Sequence, residues 1–186
     1  DGNAVTDVDT VAITVNPVND APVNTVPGAQ VVNEDTALAL GGISVNDVDG
    51  NLSTVQLGVT QGTVTVNLAG GATISSGAYG TATLTLSGTQ AQINAALGTL
   101  SYQGTLNYSG PDTLTVTSTD SNAVTDVDTV AITVSPVNDA PVNTVPGAQV
   151  VAEDTALALG GVSVNDVDGN VSRSEEHTSE LQSRHN

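Results

Sequence analysis

The chain of 186 residues has no cysteine, methionine, tryptophan or phenylalanine. Without cysteine there is no disulfide framework and no thiol chemistry. Tyr79, Tyr102 and Tyr108 are the only rings, so a core must be built from Val, Leu, Ile and Ala. That is feasible but thin for about 100–120 residues. Cations are as scarce. Arg173, His177, Arg184 and His185 are the only Arg and His, and there is no Lys. Against them stand 20 Asp and Glu, for a formal net charge of −18. Such a surface repels nucleic acid and anionic membranes, whose binding needs Lys and Arg. No apolar run approaches the roughly 20 residues of a membrane helix, and no signal peptide opens the chain. Before Arg173 only carboxylates and hydroxyls could do chemistry, with no nucleophile–base pair recognisable. The chain is therefore not expected to be an enzyme.

What is present is repetition. Asp1–Ser53 returns as Asp120–Ser172 at a constant shift of 119 residues. Only Gly2/Ser121, Asn16/Ser135, Asn33/Ala152, Ile43/Val162 and Leu52/Val171 differ. Self-similarity at a fixed period marks an array of like modules. The period is one whole small domain, longer than the roughly 20–50 residues of solenoid or propeller repeats. Four segments follow: residues 1–18 as the end of one repeat, 19–137 as a complete repeat, 138–172 as the start of a third, and 173–186 as a tail. At Arg173 the copies diverge and the composition changes abruptly, which marks a segment to keep out of fold reasoning. The run Arg173-Ser174-Glu175-Glu176-His177-Thr178-Ser179-Glu180-Leu181-Gln182-Ser183 resembles a translated sequencing-library adapter. The tail is expected to be non-native and not to pack on the domain.

Alternation identifies strands. Val11, Ile13 and Val15 share one face of Thr10–Val15, as do Val130, Ile132 and Val134 of its copy. Thr113–Thr117, Thr81–Leu86 and Gly62–Val66 repeat the pattern of inward aliphatic and outward Thr. Further strands are expected at 29–32, 37–40, 43–45, 55–59 and 100–102, separated by Gly, Asn, Asp and Ser. One helical turn is expected over Gln90–Leu97, where Ile93 and Leu97 would face the core together. The fold expected is all-β, an immunoglobulin/cadherin-like Greek-key sandwich in tandem array. Leu84, Leu86, Leu114, Val116, Ile132 and Val134 should be buried and their Thr neighbours exposed. Pro17 and Pro22, and the matching Pro136 and Pro141, make stiff connectors between modules.

Acidic residues are grouped. In a sandwich whose strands run up and down, Asn19, Asp20, Asp47, Asp49 and Asp120 come to one pole, with Asp126 and Asp128 starting the last strand there. Asp47 and Asp49 before Gly50 suit two readings. They could turn two carboxylates onto a cation, since Ca²⁺ takes 6–8 oxygens at about 2.3–2.6 Å. They could equally form an Asx-turn. The absence of His and Cys before the tail argues against Zn²⁺ or copper.

These residues resemble the cadherin-like repeats of giant bacterial surface proteins. Val134–Pro141 is similar to that family's calcium-binding linker, Val32-Asn33-Glu34-Asp35 to its early Glu motif and Asn46-Asp47-Val48-Asp49-Gly50 to its Asp-X-Asp motif. Leu114–Asp120 is similar to its penultimate strand, and Gln90–Tyr102 resembles the bacterial adhesin branch. Two departures stand out: no carboxylate lies between Asp49 and Asp112, and the linker has a single acid, Asp20. The resemblance implies Ca²⁺ at two junctions. The first would use Asn19, Asp20, Asp47, Asp49 and Asp120; the second would use Glu34, Asn138, Asp139, Asp166 and Asp168. It implies a calcium-stiffened spacer repeat of a secreted or surface-attached adhesin, outside the cell. Its partners would be neighbouring repeats, with surface or matrix ligands met through other domains. The alternative is a homophilic or carbohydrate-binding adhesion module, disfavoured by the few aromatics.

Overall fold

The structure is a computed structural model and describes residues 2, 4 and 6–171. The tail from 173 onward, expected not to pack, lies outside the described residues. The chain divides into two compact units, Asp1–Ser135 and Pro136–Asn186. The division falls at Ser135-Pro136.

Among its described residues the first unit holds eleven strands and one helix. In order they are β1 (Val23–Thr25), β2 (Gln30–Asn33), β3 (Ala37–Ala39), β4 (Ser44–Asn46), β5 (Leu52–Gly58), β6 (Gly62–Thr65), β7 (Thr73–Gly77) and β8 (Thr83–Ser87). Then come α1 (Gln90–Leu97), β9 (Ser101–Gly104), β10 (Gly110–Asp120) and β11 (Thr125–Ser135). One sheet runs β2-β11-β10-β5-β8-β7; β3-β9-β6 and β1-β4 form two smaller sheets. Every pairing in it is antiparallel except β2 with β11, where Ile132 lies opposite Gln30 and Ser135 opposite Asn33. The fold is all-β, a sandwich.

Alternation decides the faces, because strand side chains point to opposite sides with period two. Along β10 and β11, Leu114, Val116, Val130, Ile132 and Val134 are buried, while Thr113, Thr129 and Thr133 are exposed. Leu84 and Leu86 of β8 are buried as expected. These residues join Val45, Val64, Tyr102, Ile93, Ala96 and Leu97 in one core, so the large sheet packs on the small sheets and the helix. α1 spans the expected Gln90–Leu97. Thr89 caps it, accepting from the Gln92 amide while the Gln92 side chain returns to the Thr89 amide. Asn94 then clamps β4, accepting from the Val45 amide at 2.9 Å and donating to its carbonyl at 2.8 Å.

One expected strand is absent. Thr10–Val15 is not extended into a sheet, and Val11 is 86% exposed where its copy Val130 is 1% exposed. The reason is missing partners: β11 is flanked by β10 and β2, whereas residues 10–15 pair with neither. A strand without neighbours keeps its backbone groups in water and gains no burial.

The second unit, read alone, contains β12 (Val142–Thr144) and β13 (Ser163–Asn165), paired antiparallel with Val142 opposite Asn165. They are the copies of β1 and β4, which pair in the same register, Val23 opposite Asn46.

Candidate functional site

The topology brings the start of the module, the β4–β5 turn and the β10–β11 hairpin to one pole. There the expected residues do meet. The Asn19 amide donates to Asp120 Oδ2 at 2.8 Å. Asn19 Oδ1 in turn accepts from Asn51 Nδ2 at 2.6 Å and from Asn122 Nδ2. The Asp20 amide donates to Asp49 Oδ2 at 2.7 Å. One connector residue is thus held by three side chains of the module, and the next by a fourth.

The turn that presents Asp49 is local chemistry. Asp47 Oδ1 accepts from the Asp49 amide at 3.0 Å, which is an Asx-turn, and the Gly50 amide donates to the Asp47 carbonyl. Gly50 closes it at φ +68°, a conformation other residues adopt at a cost. The helix fixes the turn's position, because Gln90 Oε1 accepts from the Asp47 amide at 2.9 Å. Across the pole, Asp120 Oδ1 accepts from the amides of Asn122 and Val124, at 2.9 and 2.8 Å, and closes the hairpin. The Asn19 amide, then those two backbone amides, hold the Asp120 carboxyl below its ordinary range against the opposing effect of burial. A depression of about 330 Å³, lined by Pro17, Val18, Asn19, Asp49 and Asn51, lies between connector and turn.

Of the residues expected at the first junction, the structure brings together Asn19, Asp20, Asp47, Asp49 and Asp120. Their oxygens are the hard donors Ca²⁺ takes, and in this arrangement they accept from amides. Among the described residues, no group of three or more His, Cys, Asp or Glu is arranged to hold a metal ion. Asn51 and Asn122 were missed in the sequence, although Asx-rich turns beside a connector are the signal that could have found them. Asp126 does more than open a strand. Its Oδ2 accepts from the Asn24 amide at 2.7 Å and its carbonyl from Asn24 Nδ2 at 3.0 Å, so it ties β1 to β11.

Of the residues expected at the second junction, Glu34 lies in the first unit, buried at the opposite pole, where its amide donates to the Ser135 carbonyl at 2.9 Å. Asn138, Asp139, Asp166 and Asp168 lie in the second unit and repeat part of the same clasp. The Asp139 amide donates to Asp168 Oδ2 at 2.6 Å, the Asp168 amide to Asp166 Oδ1 at 3.0 Å, and Asn170 Nδ2 to Asn138 Oδ1 at 2.5 Å.

A heavily bonded carboxylate is one to which the sequence assigned no role. Asp112 opens β10 at the far pole and is buried. It accepts from the Thr60 amide and hydroxyl, the amides of Gln61 and Thr113, and Tyr102 Oη, all within 3.0 Å. Burial pushes its pKa up, but the hydrogen bonds from Thr60, Thr113 and Tyr102 prevail and leave it lowered. Burial, then the Asp112 carboxylate, push the Tyr102 hydroxyl well above its usual range.

Fold and site together define a β-sandwich module whose connector is fastened to its own pole by Asn and Asp side chains. Residues 36–129 match the family model of the Protein GAMETE EXPRESSED 2 domain. The match spans just over half of the chain, and the chain belongs to that family. No curated protein and no solved structure matches it. The family match overturns the resemblance to bacterial cadherin-like adhesin repeats. The connectors that carried much of it, around Pro17 and Pro136, lie outside the matched range, and Asp47-Val48-Asp49-Gly50 is an Asx-turn that many folds use. With it go the spacer-repeat function in a bacterial adhesin, the adhesion-module alternative and the description as a calcium-binding adhesin.

Proposed function

We propose that the complete module is a non-enzymatic building block of a gamete-expressed protein, and that its polar end sets the direction in which the chain enters. Support comes first from the clasp: Asn19 bonds Asp120, Asn51 and Asn122 while the Asp20 amide bonds Asp49. Pro17 and Pro22 flank the clasped pair and restrict the backbone on either side. The same local bonds recur at Asn138 and Asp139, as a device repeated once per module would require. Neighbouring modules of the same chain are the partners this arrangement serves. The non-enzymatic reading is supported by the lack of His, Cys, Lys and Arg before Arg173.

The test is backbone relaxation and hydrogen exchange by NMR on the whole chain, in EDTA so that no metal ion contributes. Val18, Asn19 and Asp20 should be as rigid as β5, and the Asp20 amide should exchange slowly. In Asn19→Ala combined with Asp49→Ala they should become mobile while the β10 and β11 amides stay protected. A connector already mobile in the unaltered chain, with the module folded, overturns the reading.

A further inference from the structure

The triplet Asn-X-Ser or Asn-X-Thr, with X other than Pro, is the acceptor pattern for an N-linked oligosaccharide. It occurs at Asn51-Leu52-Ser53, Asn107-Tyr108-Ser109 and Asn170-Val171-Ser172. In a chain this rich in Ser and Thr the pattern alone carries little, but the fold separates the three. Asn51 is half-buried and its Nδ2 donates to Asn19 Oδ1 at 2.6 Å, inside the clasp. Asn170, its copy, donates in the same way to Asn138. Asn107 stands in a different place. It lies in the turn between β9 and β10, where Leu106, Asn107 and Ser109 are all exposed. The Asn107 backbone N–H donates to Asp35 Oδ1 at 2.9 Å, and Tyr108 Oη donates to the Pro111 carbonyl at 2.7 Å. Those two bonds fix the turn without using the Asn107 side chain. Its φ of +56° is one that Asn adopts more readily than most residues. Asp35 follows Glu34, so the turn sits at the pole opposite the clasp.

We propose that Asn107 is the site of an N-linked oligosaccharide on this module, and that Asn51 is not. The donor is an oligosaccharide carried on a lipid diphosphate, and the chain must be made in the compartment where the transferase works. In the transfer, Asn107 Nδ2 forms a bond to the anomeric carbon of the first sugar. The bond from that carbon to the diphosphate oxygen breaks, the lipid diphosphate leaves with the electron pair, and Nδ2 gives one proton to the transferase. The Ser109 hydroxyl, two residues on, is the feature that marks the acceptor. Bulky, solubilising groups of this kind belong on surface turns. An oligosaccharide at Asn107 extends from the surface beside Leu106, itself 75% exposed. It leaves the core, the β10–β11 ladder and the clasp unaltered. One at Asn51 would replace a proton of the amide that holds Asn19 and would put a large group into the clasp. The choice of Asn107 rests on its exposed turn; only the exclusion of Asn51 rests on the clasp.

The test is to produce the full chain behind a secretion leader in N-glycosylating eukaryotic cells and to analyse the product from cells and medium together. Digestion with a peptide N-glycosidase should remove a single oligosaccharide, and mass spectrometry of the peptides should map it to Asn107. Asn107→Gln should abolish the modification, and so should Ser109→Ala, which keeps the Asn107 side chain and with it the turn. Asn51→Gln should leave the modification unchanged. Circular dichroism before and after digestion should give the same β-sheet spectrum, because the added group touches no core residue. A folded chain that carries no oligosaccharide at Asn107 overturns the proposal. So does occupancy of Asn51 or Asn170 equal to that of Asn107, because the fold would then not discriminate among the three.

Discussion

Thr6–Asn16 and Thr125–Ser135 differ in a single residue, Asn16 against Ser135, and have different fates. The second is an eleven-residue strand between β2 and β10 of a six-stranded sheet; the first pairs with nothing in that sheet and is not a strand. The pair Val23–Thr25 with Ser44–Asn46 behaves otherwise. Its copy, Val142–Thr144 with Ser163–Asn165, forms the same ladder in the same register. The Asx-turn at Asp47 and Asp49 likewise recurs at Asp166 and Asp168. Structure that depends on about twenty neighbouring residues survives in both contexts, while structure that needs β10, β9 or β2 does not. Propensity proposes a strand, and tertiary partners decide whether it forms.

The sharpest way to break this comparison is to cut the same side chain in both copies. Ile132→Ala removes a fully buried group from a packed core and should cost about 2–5 kcal/mol. Ile13→Ala should stay within about 0.5 kcal/mol, as exposed positions do. Urea unfolding followed by circular dichroism measures both. Equal losses would mean that residues 6–16 occupy the sheet after all.

Next in size is Asp112 of the complete module. Asp112→Ala would leave the amides of Thr60 and Gln61 without their acceptor and the Tyr102 hydroxyl with only its longer bond to the Gln61 carbonyl, a loss on the order of 3 kcal/mol. The pH sign follows from its lowered pKa. The ionised form is favoured by folding, so this stability is fully present above the unfolded value of about 3.9 and drains away as pH falls through the folded value. Asp112→Asn should flatten the acid limb of the unfolding curve. An unchanged acid limb would show that the carboxylate is not ionised in the folded module.

Asn24 and Asn143 give a smaller contrast of the same kind. Asn24 is buried and its side chain donates to the Asp126 carbonyl at 3.0 Å; Asn143 is exposed. Asn24→Ala should lower stability by about 1 kcal/mol, and Asn143→Ala should not be measurable. Thermal unfolding of the two variants decides it.

How far the sequence could be read follows from the same division. Period-two alternation placed Leu84, Leu114, Val116 and Ile132 on the correct face, and the spacing of Ile93 and Leu97 located α1. Both signals sit within a few residues of chain. β7 escaped notice because Thr73-Ile74-Ser75-Ser76-Gly77 alternates poorly and carries an irregularity between Ile74 and Ser76. The Asp112 network escaped because its donors come from Thr60, Gln61 and Tyr102, on strands and turns that only the fold unites. At the connector pole, Asn19, Asp20, Asp47, Asp49 and Asp120 were legible as a group from their positions at strand ends. That Asn51 and Asn122 complete the group was not, because their side chains reach Asn19 across 32 and 103 residues of chain, a meeting only the fold brings about.

The smallest contrast tests the clasp itself. Asn19 bonds Asp120, Asn51 and Asn122, whereas among the described residues Asn138 is bonded by the Asn170 side chain. Bonds at an exposed pole compete with water and are individually weak, so Asn19→Ala should lower Tm by a few degrees at most. Asn138→Ala should not move it, because among the described residues Asn138 has no bond like those from Asn19 to Asp120 and Asn122. Hydrogen exchange is the more sensitive measurement. The Val124 amide shares the Asp120 carboxylate with Asn19, and it should exchange faster in Asn19→Ala while Leu114 and Ile132 keep their protection. If Val124 is unaffected, the hairpin holds Asp120 without help from the connector, and the connector is merely tethered to the pole.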